Sequence, residues 1–326
     1  MEIENKFEEV AENIENLKIS EEDKRIIQEN LLKLKGETIN LMITGATGCG
    51  KSSTINALFG KEVAKVGTSV DPETMSISKY ELKNLIIWDT PGLGDSMTKD
   101  QLHAKNIVNK LQEKDVNGDL LIDLVLVILD GGSKDLGTSF ELITKVIIPA
   151  LGQDADKRIL VAINQCDMAM KGRYWDEEAN KPEAKLIEFL ENKVSSIRNR
   201  ILEATGVNIT PIYYSAGFKE DGMPQVNPYN LSKLLYFIVK YTPTQKRLAY
   251  IGHLNEDPHV WESNDNEALY EEEIEKGFWD TAKEYVFKGA KILIDFGPIF
   301  LPFLPKGGKI AKIGGKLIEF LGKIKF

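Results

Sequence analysis

The stretch Gly45-Ala46-Thr47-Gly48-Cys49-Gly50-Lys51-Ser52 has the spacing G-x-x-x-x-G-K-S, and its surroundings set the fold class. Ahead of it runs Ile39-Asn40-Leu41-Met42-Ile43-Thr44, which reads as a strand; behind it Ser53-Thr54-Ile55-Asn56-Ala57-Leu58-Phe59 reads as a helix. A glycine-rich loop in that setting lets backbone N–H groups converge on phosphate oxygens. The following helix aims its N-terminal dipole at the same point. Lys51 then reaches the β- and γ-phosphates of a nucleotide, and the Ser52 hydroxyl ligates Mg²⁺. The binding candidates here run without a break from Gly45 through Ala46, Thr47, Gly48, Cys49, Gly50, Lys51 and Ser52 to Ser53.

Three further motifs follow in order. Asp89-Thr90-Pro91-Gly92 ends the apolar run Leu85-Ile86-Ile87-Trp88, which puts a carboxylate for Mg²⁺ at a strand end and offers a bare Gly92 N–H to the γ-phosphate. Asn164-Gln165-Cys166-Asp167 ends the run Arg158-Ile159-Leu160-Val161-Ala162-Ile163. The Asp167 carboxylate can accept from guanine N1–H and N2–H₂, a pair that adenine does not supply, and a site built on such pairing discriminates strongly. Asn164 is expected to brace the loop and touch the base edge. Ser215-Ala216-Gly217 follows Ile209-Thr210-Pro211-Ile212-Tyr213-Tyr214 and is expected to meet guanine O6 through the Ala216 N–H.

Over roughly residues 37–242 these motifs resemble the Era-like group of P-loop GTPases, within the translation-factor-related class. Residues 45–60, with Val70-Asp71-Pro72-Glu73-Thr74, look most like the bacterial ribosome-binding-type GTPase domains. The resemblance implies a P-loop NTPase three-layer α/β fold with a mostly parallel sheet. It also implies GTP and GDP as ligands, Mg²⁺ as cofactor, slow hydrolysis, and switching by loop order and disorder. Within it Lys51, Thr74 and Gly92 carry catalysis, and Ser52, Thr74 and Asp89 hold the metal, with Thr68 the alternative to Thr74. The chain departs from the family at three points. Gln165 stands where the base motif has Lys, Gly48 where some members carry a K⁺-holding Asn, and Leu93 where Ras-like enzymes place a water-orienting Gln. Low intrinsic hydrolysis is therefore expected, helped by a partner or by self-association. His103 reads as a solvated helix residue.

The chain has 326 residues, a net charge of −9 and 42% hydrophobic residues. That balance supports a sizeable core and argues against broad nonspecific nucleic-acid binding. The two cysteines, Cys49 and Cys166, both fall in nucleotide loops, where they could approach one another, and reduced thiols are expected. An acidic, polar start points away from a secretory leader and towards the cytoplasm, with the inner membrane face as a possible peripheral site.

Three regions are expected: an acidic helical extension over 1–36, a nucleotide-binding domain over 37–242, and a helical region over 243–326. In the first, Phe7, Val10, Ile14 and Leu17 recur at helical spacing, as do Ile27, Leu31 and Leu34. They read as a hairpin packed on the domain or as a partner-binding arm. Within the domain, 121–129 reads as a buried strand and 99–113, 137–151, 183–204 and 231–241 as helices. Residues 168–182 read as an exposed insertion-like loop. A long helix is expected around 266–295, anchored by Phe278 and Trp279.

From 288 to 326 there are eight lysines against Asp295 and Glu319. Ile310, Ile313, Leu317, Leu321 and Ile324 share a helical face, with Lys309, Lys312, Lys316 and Lys323 beside it. This pattern fits a helix packed on its own domain, an anionic membrane surface, or RNA. The partners expected are thus guanine nucleotide, a ribosomal or other protein, an anionic surface for the tail, and a second copy in a nucleotide-dependent dimer.

Overall fold

In β1 (Ile39–Gly45) every residue is buried, and the side chains alternate: Leu41 and Ile43 enter one apolar cluster, Met42 the other. β4 (Leu124–Asp130) repeats the pattern, with Leu124, Leu126 and Ile128 on one side and Val125, Val127 and Leu129 on the opposite one. Strands apolar on both faces need cover on both, which is the condition for a parallel sheet between two helical layers. The computed structural model describes residues 15–16, 19–60, 77–82, 84–92, 97–133, 135–218 and 226–290.

The remaining strands are β2 (Ser78–Leu82), β3 (Leu85–Asp89), β5 (Ile159–Asn164), the pair β6 (Trp175–Asp176) and β7 (Lys181–Pro182), and β8 (Ile212–Tyr213). The main sheet is ordered β2-β3-β1-β4-β5-β8, parallel except for β2, which pairs antiparallel to β3 at one edge. Its register sets Ile43 beside Asp89, Gly45 beside Ile128, and Asp130 beside Asn164. The phosphate loop, Asp89 and Asn164 therefore leave the sheet at the same end, where ligands bind in such folds.

One face is covered by α1 (Glu21–Gly36), α2 (Lys51–Phe59), α6 (Leu231–Tyr241) and α7 (Tyr270–Thr281), which contribute Ile27, Leu58, Leu235 and Phe278 to one cluster. The other face is covered by α3 (Met97–Gln112), α4 and α5 (Ala184–Thr205). α4 runs from Gly137–Glu141 through a π turn, Leu142–Ile147, into Ile148–Leu151. α5 buries Leu186, Leu190, Ile197 and Ile201, one stripe of an amphipathic helix.

α1 starts where Ser20 accepts from the Asp23 N–H at 3.1 Å, with Glu21, Glu22 and Asp23 in the first turn to meet the helix dipole. It is a packed helix, buried through Ile27, Leu31 and Leu34. Asn30 Nδ2 donates to the carbonyls of Val286 at 3.1 Å and Lys288 at 2.9 Å. Phe7, Val10, Ile14 and Leu17 lie outside the described residues.

The helix expected around 266–295 is shorter. α7 ends at Thr281, a π turn spans Ala282–Val286, and Phe287 leaves helical geometry at φ −94° and ψ 6°. Asn30 takes the carbonyls of Val286 and Lys288, and Phe287 itself is buried in the core, so tertiary contacts turn the chain there. Phe278 anchors α7 as expected; the Trp279 side chain and residues 291–326, with most of the cationic tail, lie outside the described residues. Among the described residues no helix is long and apolar enough to cross a membrane.

The strand expected from 121 begins at Leu124, because Asp123 is occupied otherwise. Its carboxylate accepts the Asn40 N–H at 2.8 Å and the Lys246 ammonium at 2.8 Å. The segment 168–182 is also more ordered than an exposed loop: β6 and β7 pair, and the Trp175 ring meets Tyr229 edge-on at 5.3 Å. His103 is only 4% exposed, since α3 turns it inward instead of to water.

Burial raises the Asp123 pKa above the usual carboxylate range, opposed by Lys246 and the Asn40 N–H. Lys246→Met leaves that carboxylate buried without its cation, and about 3–5 kcal/mol of stability should be lost at neutral pH. The native state already holds the Asp123 proton more tightly than the unfolded chain. The mutant's deficit should therefore be full at neutral pH and fade as acid protonates Asp123. Urea unfolding of both proteins across the acid range checks this.

Candidate functional site

The loop from Gly45 to Ser52 closes on itself. Lys51 Nζ donates to the carbonyls of Gly45 at 3.3 Å and Ala46 at 3.2 Å, so the ammonium stands over the loop. Gly50 has φ +87°, and a Cβ there would sit 2.2 Å from Asn164 Nδ2. Both facts require glycine: the backbone is left-handed, and the neighbouring side chain fills the space. Ser52 and Ser53 are half-buried in the first turn of α2. Thr54 Oγ1 donates to the Gly50 carbonyl at 2.8 Å and shares a 2.7 Å hydrogen bond with the Tyr214 hydroxyl, which pins the start of α2 to the residue that follows β8, just ahead of Ser215.

The second motif lies directly on this loop. A Cβ at Gly92 would stand 2.6 Å from Thr47 Cα, so only glycine allows the approach. Thr90 fixes the turn: its N–H donates to the Ile43 carbonyl at 3.0 Å and its hydroxyl to Thr44 Oγ1 at 2.8 Å. Asp89 ends β3, and its Oδ1 is buried with no hydrogen-bond partner. Burial pushes its carboxyl up to about 6, against the pull of Lys51. A bare carboxylate oxygen at the end of β3, within reach of the Lys51 charge, and the Ser52 hydroxyl at the start of α2 are a donor set that fits a hard divalent cation such as Mg²⁺. Thr74 and Thr68, and the Leu93 position, lie outside the described residues.

The base motif is tied to the phosphate loop through two side chains. Asn164 Nδ2 donates to the Cys49 carbonyl at 2.9 Å, and Asn164 Oδ1 accepts the Ala216 N–H at 2.9 Å. Gln165, at φ +57°, donates through Nε2 to the Gly48 carbonyl at 3.1 Å. The Ala216 amide, expected to meet guanine O6, is directed to Asn164. Asp167 follows with Oδ1 buried and without a partner. Ser215 is held by reciprocal backbone bonds with Tyr229, each 2.9 Å, and its Oγ accepts the Gly217 N–H at 3.2 Å.

Cys49 and Cys166 are both buried free thiols. Burial raises the pKa of each, with Lys51 pulling Cys49 back in part.

The roles of Gln165, Thr54, Tyr214 and Tyr229 as braces were not read from the sequence. Gln165 stood out as a departure, yet nothing in the text around it names Gly48 as its partner. For Tyr229 the signal was absent, because its partner Ser215 is set by the return of the chain after 218. His103 has neither ring nitrogen hydrogen-bonded among the described residues.

Fold and site together define a P-loop nucleotide-binding domain: a mostly parallel sheet whose first strand runs into a glycine-rich loop that Lys51 closes. Residues 40–165, which hold the phosphate loop, Asp89–Gly92 and Asn164, match the model of the family described as 50S ribosome-binding GTPase. Over 98 residues the chain is 35% identical to interferon-gamma-inducible GTPase 10 of Mus musculus, a match covering 28% of this chain and 22% of that protein. An uncharacterized protein of Methanocaldococcus jannaschii is 26% identical over 222 residues, covering 64% of this chain and 98% of that one. Among solved structures, a probable GTP-binding protein engB aligns over 62% of this chain and 97% of its own at 21% identity and a TM-score of 0.39. The chain spans only 22% and 18% of the first two curated relatives it matches.

The Asp89 geometry generates a test. With its pKa raised to about 6, the native metal-free protein binds this proton more tightly than the unfolded chain. Wild-type stability should then fall as pH rises from about 4 to about 6, and stay lower above that. Asp89→Asn removes the buried charge and should stabilise the metal-free protein at neutral pH by about 3 kcal/mol, with a flatter pH profile. Denaturant melts in a chelator across that range check it; a less stable mutant at neutral pH contradicts the assignment.

Proposed function

We propose that this protein binds GTP and GDP and hydrolyses GTP to GDP and phosphate as a molecular switch. The observation that carries this reading is a pair of buried carboxylate oxygens without partners, Asp89 Oδ1 and Asp167 Oδ1, on the motifs that flank the phosphate loop. Such oxygens are costly unless something completes them. A metal completes the first, and the N1–H and N2–H₂ edge of guanine completes the second.

On this reading Lys51 releases the Gly45 and Ala46 carbonyls and turns to the β- and γ-phosphates. The loop N–H groups from Ala46 to Ser52 and the start of α2 hold the phosphate oxygens. Ser52 and Asp89, with Thr74 from the sequence, would hold Mg²⁺, which when bound neutralises charge on the β- and γ-phosphate oxygens. Gly92, lying on Thr47, gives way to admit the γ-phosphate and offers it a backbone N–H, so this contact senses the third phosphate. Asn164 keeps the base and phosphate loops at one spacing, and Asp167 selects guanine. Leu93 in place of a water-orienting Gln supports a slow intrinsic rate. The family match supports a ribosomal partner, and the cationic stretch 288–326 supports a second contact with an anionic surface.

Two measurements test the proposal. Asp167→Asn should weaken GTP binding by several orders of magnitude and turn the preference to xanthine nucleotides; equal wild-type affinity for ATP and GTP would sink the guanine assignment. Lys51→Ala should lower single-turnover hydrolysis by on the order of 100-fold or more while the protein stays folded. Unchanged turnover would refute the phosphate-loop role.

A further inference from the structure

The loop that carries Ser215 and Ala216 is fastened from outside the family-matched stretch. Ser215 pairs with Tyr229 through two backbone bonds, and the next residue, Asn230, is completely buried at φ +56°. Its side chain reaches both ways. Nδ2 donates to the Tyr213 carbonyl at 3.2 Å, at the end of β8, and to Asp265 Oδ2 at 3.1 Å. Oδ1 accepts the Asp265 N–H at 2.8 Å, and the Asn230 N–H donates to the Ser263 carbonyl at 2.9 Å.

Asp265 is itself held. The Lys233 ammonium donates to Asp265 Oδ2 at 2.7 Å and to Glu267 Oε2 at 2.7 Å, and the Tyr270 hydroxyl donates to Asp265 Oδ1 at 2.8 Å. Lys233 and Asp265 have side chains only 10% and 8% exposed. A buried pair of this kind adds little net stability compared with apolar packing, but it fixes geometry and is costly to break from one side. The links form one chain: Lys233 and Tyr270 hold Asp265, Asp265 and Asn230 exchange two hydrogen bonds, and Asn230 reaches the strand that delivers Ser215 and Ala216. Ala216 in turn donates to Asn164, which grips the phosphate loop at Cys49.

We infer that Asp265 is a positioning residue for the guanine-binding loop, so that the segment 263–270 clamps the nucleotide and sets its rate of release. The inference rests on the GTPase reading above. It adds that the control point lies past residue 242, in a part of the chain that carries no nucleotide motif. Anything that draws 263–270 away from Asn230 would speed nucleotide exchange without touching the phosphate loop.

The test uses the full chain and N-methylanthraniloyl-GDP as the probe. Asp265→Ala should speed probe dissociation by about tenfold, and Lys233→Met should act in the same direction. Single-turnover hydrolysis of GTP already bound should stay within twofold, because Asn164 holds the phosphate loop through its own bond to the Cys49 carbonyl, which does not involve Asp265. Lys246→Met serves as the matched control: it breaks a buried pair at the opposite end of the sheet and should lower the melting temperature yet leave dissociation unchanged. Equal acceleration in Lys246→Met, or wild-type dissociation in folded Asp265→Ala, overturns the inference. If Asp265→Ala does not fold, Asp265→Asn replaces it and should give a smaller acceleration; a wild-type rate there overturns the inference as well. A wild type that binds no guanine nucleotide defeats the GTPase reading. The clamp is then judged by hydrogen exchange: amides 213–217 should lose protection in the Asp265 variant and not in Lys246→Met, and unchanged protection overturns it.

Discussion

The Asn164 side chain is the joint on which the site depends. One amide group spends its N–H on the Cys49 carbonyl and its oxygen on the Ala216 N–H, and so joins loops that follow β1, β5 and β8. Each of those loops is buried where it meets Asn164, and each leaves a backbone group that must be satisfied. A side chain with one donor face and one acceptor face does this at a fixed spacing. The neighbouring Gly50 has no room for a Cβ because Asn164 already occupies it. Glycine and asparagine are thus two halves of one contact, more than a hundred residues apart in the chain.

The sheet makes this contact possible, and both ends of the described chain help make the sheet. α1 lies against the same cluster as α6 and α7, and Asn30 closes α1 onto residues 286–288. At the far end of the sheet, Asp123 gathers the Asn40 N–H and Lys246. The strand ends that carry the nucleotide motifs are therefore backed by packing contributed from outside the matched stretch 40–165. The site itself holds the reverse arrangement: Asp89 and Asp167 keep buried oxygens without partners. Such groups lower the stability of the empty protein and are retained where a ligand completes them.

Most of the site was legible as text because its chemistry is local. The spacing G-x-x-x-x-G-K-S names a loop whose own backbone supplies the donors, and Asp89 and Asp167 sit at fixed offsets from strand ends. Strand and helix limits were close for the same reason, since alternation in β1 and β4 and the stripe of α5 are written in adjacent residues. The misses were nonlocal. His103 shares a helix with polar neighbours, yet the twist of α3 buries it. The helix expected to run to 295 was a fair reading of composition, but Asn30, some 250 residues upstream, takes the carbonyls where it ends. Trp175 looked like a loop aromatic until Tyr229 came to meet it.

The sequence alone determined the class of fold, the order of the motifs, the phosphate loop and the position of Asp167, because each depends on residues a few positions apart and on the period of a strand or helix. The tertiary structure decided which groups complete one another. It assigned the Ala216 N–H to Asn164, brought Gln165 over Gly48, laid Gly92 against Thr47, and placed the Lys233–Asp265 pair behind the base loop. Those are pairings of buried polar groups. A sequence states that each group needs a partner, and only the packed chain shows which partner comes within hydrogen-bond reach.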